Sequence, residues 1–310
     1  MKKHLLYDGD FLRYSIGFAN EQHGLYYGDD LVYKNSSVLL CKEYAKENGL
    51  PEEAVTLSKV AAPVGHCLAA VKRSIQYAMD ATGAETLTVF LSGKGNFREK
   101  IARQKEYKGN RKNFVKPLLY NEITDYLISR YKAVVTVGYE ADDAMAIYAT
   151  HHQRNGNLGI IATADKDLNQ VPCRIFNVQN DTVINVYDNP VGELYLKQQG
   201  SGAVLKGYGE MFFYAQMLTG DTVDNIPGCV GYGAQKAFGL SECTTVEQMQ
   251  QFVEEAYAET YGTEKKELVD WAGNVYNANH QDRMLEQGKL LWMLREYPNK
   301  SGTHIWKPWF

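Results

Sequence analysis

Hydrophobic and polar positions fall into blocks whose period changes along the chain. "HLLYD" (4–8) is a short apolar run ending in an acid, the pattern of a buried strand. "LAAVKRSIQYAMDATG" places Leu68, Val71, Ile75 and Ala78 at helical spacing, with Gly83 set to cap the helix end. "ETLTVFLSG" is rich in β-branched and aromatic residues and predicts a second strand. "NEITDYLISR" predicts a helix and "AVVTVGY" a third strand. "EADDAMAIYATHHQ" predicts a helix with acids in its first turn, where the macrodipole favours them. "LGIIATAD" is a fourth strand, and "CRIFNVQNDTVINVYD" alternates like a hairpin around Asn180 and Asp181.

This strand–helix alternation predicts an α/β domain with a mostly parallel central sheet flanked by helices. From Gly207 onward the pattern turns mainly helical, and glycine and charge content shift over 186–207. The expected organisation is a core over 1–190, a helical hairpin over 207–240 and a helical C-terminal part over 241–310.

The 310 residues are 45% hydrophobic, enough for a sizeable core. No run of 18 apolar residues occurs, and the N-terminus lacks the apolar stretch of a secretory signal, so no membrane partner and a cytoplasmic location are expected. Five scattered cysteines without C-x-x-C spacing read as free thiols. His151 and His152 have no facing ligand pair and read as structural.

Charge changes the picture. The net value is −4, but 93–116 carries nine Lys/Arg against two acids. That +7 segment leaves −11 on the rest, a pattern suited to a localised polyanion contact. If the segment is helical, Lys94, Arg98 and Lys105 share one side, with Phe97 and Ile101 on an apolar stripe. Basic residues interleaved with Phe97, Tyr107 and Phe114 suit a phosphate backbone with base stacking. "SGKG" lacks the P-loop spacing.

Ligands of parallel sheets bind at the carboxyl ends of the strands. Three predicted strands deliver acids there: Asp8, then Glu140, Asp142 and Asp143, then Asp165 and Asp167; "LTGDTVDNIPG" adds Asp221 and Asp224. Two like charges 4 Å apart repel by roughly 4 kcal/mol at an effective dielectric of 20, so such a cluster needs cations. Hard divalent ions with oxygen ligands fit best: Mg²⁺ needs few direct carboxylates, and two ions serve phosphodiester hydrolysis. Gly228, Gly231 and Gly233 between two helices do not form G-x-G-x-x-G. They offer exposed amides for phosphate, with Lys236 nearby.

"LLYDGD", "YKGNR", "EADD", "TADKDLNQVP" and "GDTVDNIPGCVGYGAQKA" together resemble the 5′ nuclease superfamily of phage 5′–3′ exonucleases, flap endonucleases and polymerase 5′ nuclease domains. "DGD" and the tail from Arg283 are most similar to the exonuclease of short-tailed phages. The resemblance implies a PIN-like fold with a helical arch and a helix–three-turn–helix. It implies Mg²⁺, with Mn²⁺ substituting, on Asp8, Glu140, Asp142, Asp143, Asp165, Asp167, Asp221 and Asp224. K⁺ would sit at the glycine turn. Lys108 and Arg111 would act at the scissile phosphate and Tyr107 would stack. Lys94, Arg98, Arg103, Lys105, Gly228, Gly231, Gly233 and Lys236 would contact DNA with 5′ ends, flaps or gaps, or RNA–DNA hybrids. The activity implied is structure-dependent hydrolysis from 5′ ends, leaving 5′-phosphates, in phage replication, primer removal or host DNA breakdown. A monomer is expected. Many relatives carry a further aspartate where this chain has Leu91, Ser92 and Gly93, so either Asp10, one step back from the metal, or a bound water is expected to compensate, or one metal position is expected to be weaker. Two other readings remain: a haloacid dehalogenase-type phosphatase with Asp8 as nucleophile, and a non-catalytic DNA binder.

Overall fold

The computed structural model describes residues 1–112, 114–200, 202–299 and 305–309. Parts of the tail at 300–304 and 310 that enter the resemblance lie outside them. Strand β1 (Lys3–Asp8) runs into α1 (Gly9–Phe11), a π-helical turn (Leu12–Ile16) and α2 (Gly17–Ala19). An antiparallel insert follows: β2 (Glu21–Tyr27), β3 (Asp30–Asn35), α3 (Val38–Glu47) and β4 (Val55–Ala61). Then come α4 (Val64–Thr82), β5 (Thr86–Asn96), α5 (Arg98–Ile101), α6 (Tyr120–Tyr131), β6 (Val134–Gly138), α7 (Ala141–Arg154) and β7 (Leu158–Thr163). Hairpins β8 (Arg174–Asn177) with β9 (Thr182–Asn185) and β10 (Glu193–Gln199) with β11 (Gly202–Tyr208) lead to α8 (Gly209–Thr219) and α9 (Ala234–Ala237). The chain continues through α10 (Val246–Tyr261), β12 (Lys266–Val269), β13 (Val275–Ala278) and α11 (His280–Leu291).

The central sheet has the order β6-β5-β1-β7-β8-β9, parallel except for the β8–β9 pair. This is the expected α/β architecture. β1 is central and buried on both faces, with Leu5, Leu6 and Tyr7 fully covered, which is why it reads as an unbroken apolar run. On one face α4 packs Cys67, Val71, Ile75 and Ala78 beside Ile123 and Leu127 of α6. Gly83 ends α4 in the left-handed region, its amide reaching the Asp80 and Met79 carbonyls. On the other face α7 packs Ala141, Ala144, Met145 and Ala149 against Leu6, Phe90 and Ile161. Small residues let α7 and β7 approach closely here: a Cβ on Gly159 would lie 2.9 Å from the Ala149 Cα.

Three features depart from the expected pattern. The +7 segment is not one helix. β5 continues through Lys94 to Asn96, α5 is four residues long, and a 3₁₀ turn covers Gly109–Arg111. Gly93 makes this possible, since a Cβ there would stand 2.1 Å from the Thr136 carbonyl oxygen of neighbouring β6. Hairpin β10–β11 occupies the stretch that resembled a boundary. Hairpin β12–β13 interrupts the helical C-terminal part. Each strand of these hairpins is half exposed and pairs only with its partner, so its hydrophobic alternation is faint.

The C-terminal helices share a second core. Phe213 of α8, Tyr257 of α10, Met284 of α11 and Trp306 of the tail belong to one cluster, together with Tyr107 of the basic segment. Trp306 seats on Gly288 of α11, where an added Cβ would lie 2.2 Å from the indole ring. Gly288→Ala is therefore expected to lift Trp306 from its seat and lower stability by about 1–3 kcal/mol. Urea unfolding followed by tryptophan fluorescence checks this; an unchanged midpoint would show that the tail does not use the notch.

Candidate active site

The parallel register brings Asp8, Phe90 and Ala162 to one edge of the sheet. Just beyond it lie Ser92, Thr163 and the N-terminus of α7. A cavity of about 530 Å³ opens at this edge, lined by Asp8, Asp10, Glu140, Asp142, Asp165, Asp167 and Asp224, with Lys108 and Arg111 on its wall. Six of the eight predicted metal-site acids therefore meet, although they come from four separate stretches of sequence. Phe11, Tyr14, Ser15 and Phe18 line the same cavity and were missed by sequence reading. Their i, i+4 pair Tyr14 and Phe18, directly after "DGD", was the available signal.

Local chemistry fixes each acid. Asp8 caps α1 through the Phe11 amide at 2.9 Å and accepts from the Thr163 hydroxyl at 2.8 Å. Asp10 accepts from the Ser92 amide at 3.2 Å and pairs with Arg13. Ser92 in turn accepts from the Ala141 amide through its hydroxyl at 2.9 Å. Asp10 thus reaches Ser92 of β5, in the window Leu91–Gly93 where the sequence lacks an acid. Lys108 pairs with Glu140, and Arg111 holds Asp224 at 2.7 Å. Asp165 caps the 3₁₀ turn Lys166–Gln170 by accepting from the Asp167 amide. Gln216, buried in α8, donates to Asp167 at 2.5 Å.

Two expected ligands lie outside the cavity lining. Asp143 is fully buried and forms a bidentate pair with Arg98, at 2.6 and 2.9 Å. This pairing corrects both expectations. Asp143 is not at a metal position, and Arg98, equally buried, is not placed to contact DNA. Asp221 accepts from the Val223 and Asp224 amides and pairs with Lys166 at 2.5 Å, shaping the loop between α8 and α9. Tyr107 is also corrected. Its ring is buried, and its hydroxyl bridges Glu140 at 2.9 Å and Asp224 at 2.8 Å, so it holds the two acids and offers no stacking face. Lys94 and Lys105 are exposed away from the cavity, and Arg103 lies in a different groove. Gly228 and Gly231 have positive φ in the loop before α9, and Lys236 stands over the Tyr232 ring. His152 stacks on His4 at the opposite end of α7, as a structural residue would. The five cysteines are free.

The electrostatics divide the acids. Burial pushes the Asp8 carboxyl up to about 7, with Asp10 adding to the effect. Burial and then Asp165 push Asp167 up to about 8. Asp142 rises through burial and then through Asp165 and Asp8; Asp165 rises mainly through burial. Burial would also raise Glu140 and Asp221, but Lys108 with Arg98, and Lys166, outweigh it and hold both below the usual range. So Asp8, Asp142, Asp165 and Asp167 form a group short of positive charge. All donors are hard oxygens, which fits a divalent cation of the Mg²⁺ type. Among the described residues no three acid, histidine or cysteine side chains stand close enough to hold a metal ion by themselves. An ion that keeps most of its water and takes few direct carboxylates suits this spacing.

Residues 39–195 match the family model for the 5′-3′ exonuclease N-terminal resolvase-like domain. The chain belongs to this family. It is 28% identical over 205 residues to the DNA polymerase I of Bacillus subtilis (strain 168), covering 62% of this chain and 22% of the relative. It is 34% identical over 112 residues to that of Rhizobium leguminosarum, covering 35% and 10%. It is 30% identical over 160 residues to a 5′-3′ exonuclease of Buchnera aphidicola, covering 50% and 51%. The matches thus span between a tenth and about half of these relatives' lengths. Similar solved structures include a T5 5′-exonuclease with divalent zinc ions (17% identity, TM-score 0.43, 83% of this chain and 85% of that chain). A bacteriophage T5 flap endonuclease with DNA and metal ions gives 17%, 0.46, 83% and 85%. Among the described residues no helix is long and apolar enough to cross a membrane.

The divided acids make stability depend on pH and metal. Asp8 and Asp167 bind protons more tightly folded than unfolded, from the ordinary 3.8 up to about 7 and about 8. In that window the folded state holds the extra protons, so metal-free stability falls as pH rises from about 4 to 8. The depressed Glu140 and Asp221 act only below it, where their stabilisation is lost on acidification. Melting in EDTA should therefore be lower at pH 8 than at pH 5.5, with Mg²⁺ raising it more at pH 8. An equal Mg²⁺ effect at both values would contradict the grouping. Separately, Asp143→Ala leaves Arg98 buried without its partner and should cost about 3–5 kcal/mol in chemical denaturation. Asp142→Ala should not destabilise the metal-free protein, yet should weaken Mg²⁺ binding by calorimetry.

Proposed function

We propose that this protein is a divalent-metal-dependent 5′ nuclease that hydrolyses phosphodiesters from DNA 5′ ends and flaps, leaving 5′-phosphate and 3′-hydroxyl products. The observation that carries the reading is the cavity in which Asp8, Asp142, Asp165 and Asp167 lack enough positive charge while Lys108 and Arg111 stand opposite. A polyanionic substrate and acidic walls are incompatible unless cations intervene, and family membership points the same way.

In this reading Asp8, Asp142, Asp165 and Asp167 hold Mg²⁺, or Mn²⁺ in its place. An ion held there would supply positive charge for the phosphate and a lowered pKa for a coordinated water. The protein's own part is positional. Lys108 and Arg111 leave Glu140 and Asp224 to meet the scissile phosphate, where charge builds in the transition state. Tyr107 keeps Glu140 and Asp224 apart and fixed. Asp10, anchored on Arg13 and the Ser92 amide, sits beside the middle of β5 at the cavity wall. Tyr14 and Phe18 present aromatic surface to a terminal nucleotide. The loop before α9 would hold duplex phosphates through the amides near Gly228, Gly231 and Gly233, aided by Lys236, with K⁺ on its main-chain oxygens. The monomeric protein would act in phage replication, primer removal or host DNA breakdown, on RNA–DNA hybrids as well as DNA.

The phosphatase alternative leaves most of the cavity acids without a role. Its second aspartate, Asp10, is already committed to Arg13 and Ser92.

The reading is tested with 5′-labelled duplex, gapped and flapped DNA incubated with Mg²⁺ or EDTA. Cleavage should require Mg²⁺, and Lys108→Ala should lower kcat by about 10²–10³-fold. Asp142→Asn combined with Asp165→Asn should abolish it. Wild-type cleavage by that double variant would sink the assignment.

A further inference from the structure

We infer that a further nucleic-acid contact lies outside both the acid cavity and the loop before α9, in the groove between α5, hairpin β12–β13 and α11. The occupant is the phosphate backbone of the same DNA. The inference rests on the nuclease reading.

The groove has a volume of about 360 Å³ and is lined by Lys100, Arg103, Tyr276, Arg283, Glu286 and Lys289, among others. Its charges are unevenly engaged. Glu286 is buried and already accepts from the Arg103 and Gln104 amides, at 2.8 and 2.9 Å. Asp282 caps α11 by accepting from the Asn279 amide, and pairs with Lys265 at 3.3 Å. Lys100, Arg103, Arg283 and Lys289 form no ion pair among the described residues. Arg103 lies 5.4 Å from the Tyr276 ring centre, and Arg283 lies over Tyr261 and donates to Gln104. Four cations line the groove against two acids, and one of those acids, Asp282, already pairs with Lys265, so the groove carries net positive charge.

The hairpin is held in place for this. Trp271, at its tip, donates through its indole to the Ala102 carbonyl at 3.0 Å, and its backbone amide donates to the Arg103 carbonyl. The groove wall and the basic segment are therefore fastened to each other. That segment leads straight to the acid cavity: Lys108 follows Arg103 by five residues, at most ~18 Å of extended chain. Phosphates along one strand recur about every 3.4 Å, so a single strand can span both places within roughly five nucleotides. Four cations on concave walls beside an aromatic ring match a phosphodiester backbone better than any small neutral ligand.

Anisotropy with a labelled gapped duplex, in EDTA over a salt series, tests this. Each phosphate contact contributes about 0.9 to the slope of log K against log salt. Lys100→Ala with Lys289→Ala should flatten that slope by about 1.8, while Lys100→Arg with Lys289→Arg should retain it. Both Lys positions are solvent-accessible, and a melting curve identical to wild type confirms that the fold is intact. An unchanged slope in the alanine variant overturns the inference and leaves the groove to another anion, such as an acidic peptide. If the wild type itself binds no DNA, the nuclease reading fails first, which is a different result.

Discussion

The buried pair between Arg98 and Asp143 is the constraint on which the rest of this structure depends. Both side chains are fully removed from water. Desolvating two such charges costs several kcal/mol each, and only good geometry recovers it. Here the geometry is complete. Arg98 gives two bonds to Asp143 and others to the carbonyls of Leu290 and Trp292, while the Leu294 amide donates to Asp143. Four stretches meet at this point: the exit of β5, the first turn of α7, the end of α11 and the chain that follows it. Glu140 and the start of α7 can occupy only one position as a result, and Tyr107 is set against them by the C-terminal core.

The same arrangement explains why so many acids coexist. They are not equivalent. Asp143 is neutralised inside the protein. Glu140, Asp224 and Asp221 are held by Lys108, Arg111 and Lys166. Asp8, Asp142, Asp165 and Asp167 have no such close cation to offset their burial, and burial first, with neighbouring acids adding to it, raises their carboxyl pKa values. The basic segment serves two faces: Lys108 and Arg111 look into the acid cavity, whereas Lys100 and Arg103 look into the groove under the β12–β13 hairpin.

Much of the core was legible along the chain because its signals are local. β1, β5, β6 and β7 are apolar runs bounded by acids or glycine, and α4, α6 and α7 carry helical spacing. Acids directly after β1, β6 and β7 could be assigned to one edge because parallel strands share a direction. The hairpins β10–β11 and β12–β13 and the insert β2–β4 were not legible. Their strands are half exposed, with weak alternation, and their partners are set by contacts far away in sequence. The basic segment misled for a related reason: charge spacing suggested a helix, but Gly93 and Gly95 let β5 continue beside β6.

Taken alone, the amino-acid order determined the parallel sheet, the set of strand-end carboxylates and a basic stretch fit to meet a polyanion. Each is written in residue type and short-range period. Only the tertiary structure decided which charges face the cavity and which face each other. Residue type does not separate Asp142 from Asp143, and the capping position of Asp143 in α7 gives no hint of its distant partner, yet one lines the cavity and the other is locked on Arg98. Nothing local marks Arg98 as a core residue or Tyr107 as a clamp. These roles depend on partners 33 to 194 positions away, and burial turns such a partnership into a fixed structural role because an unpaired charge there is too costly to tolerate.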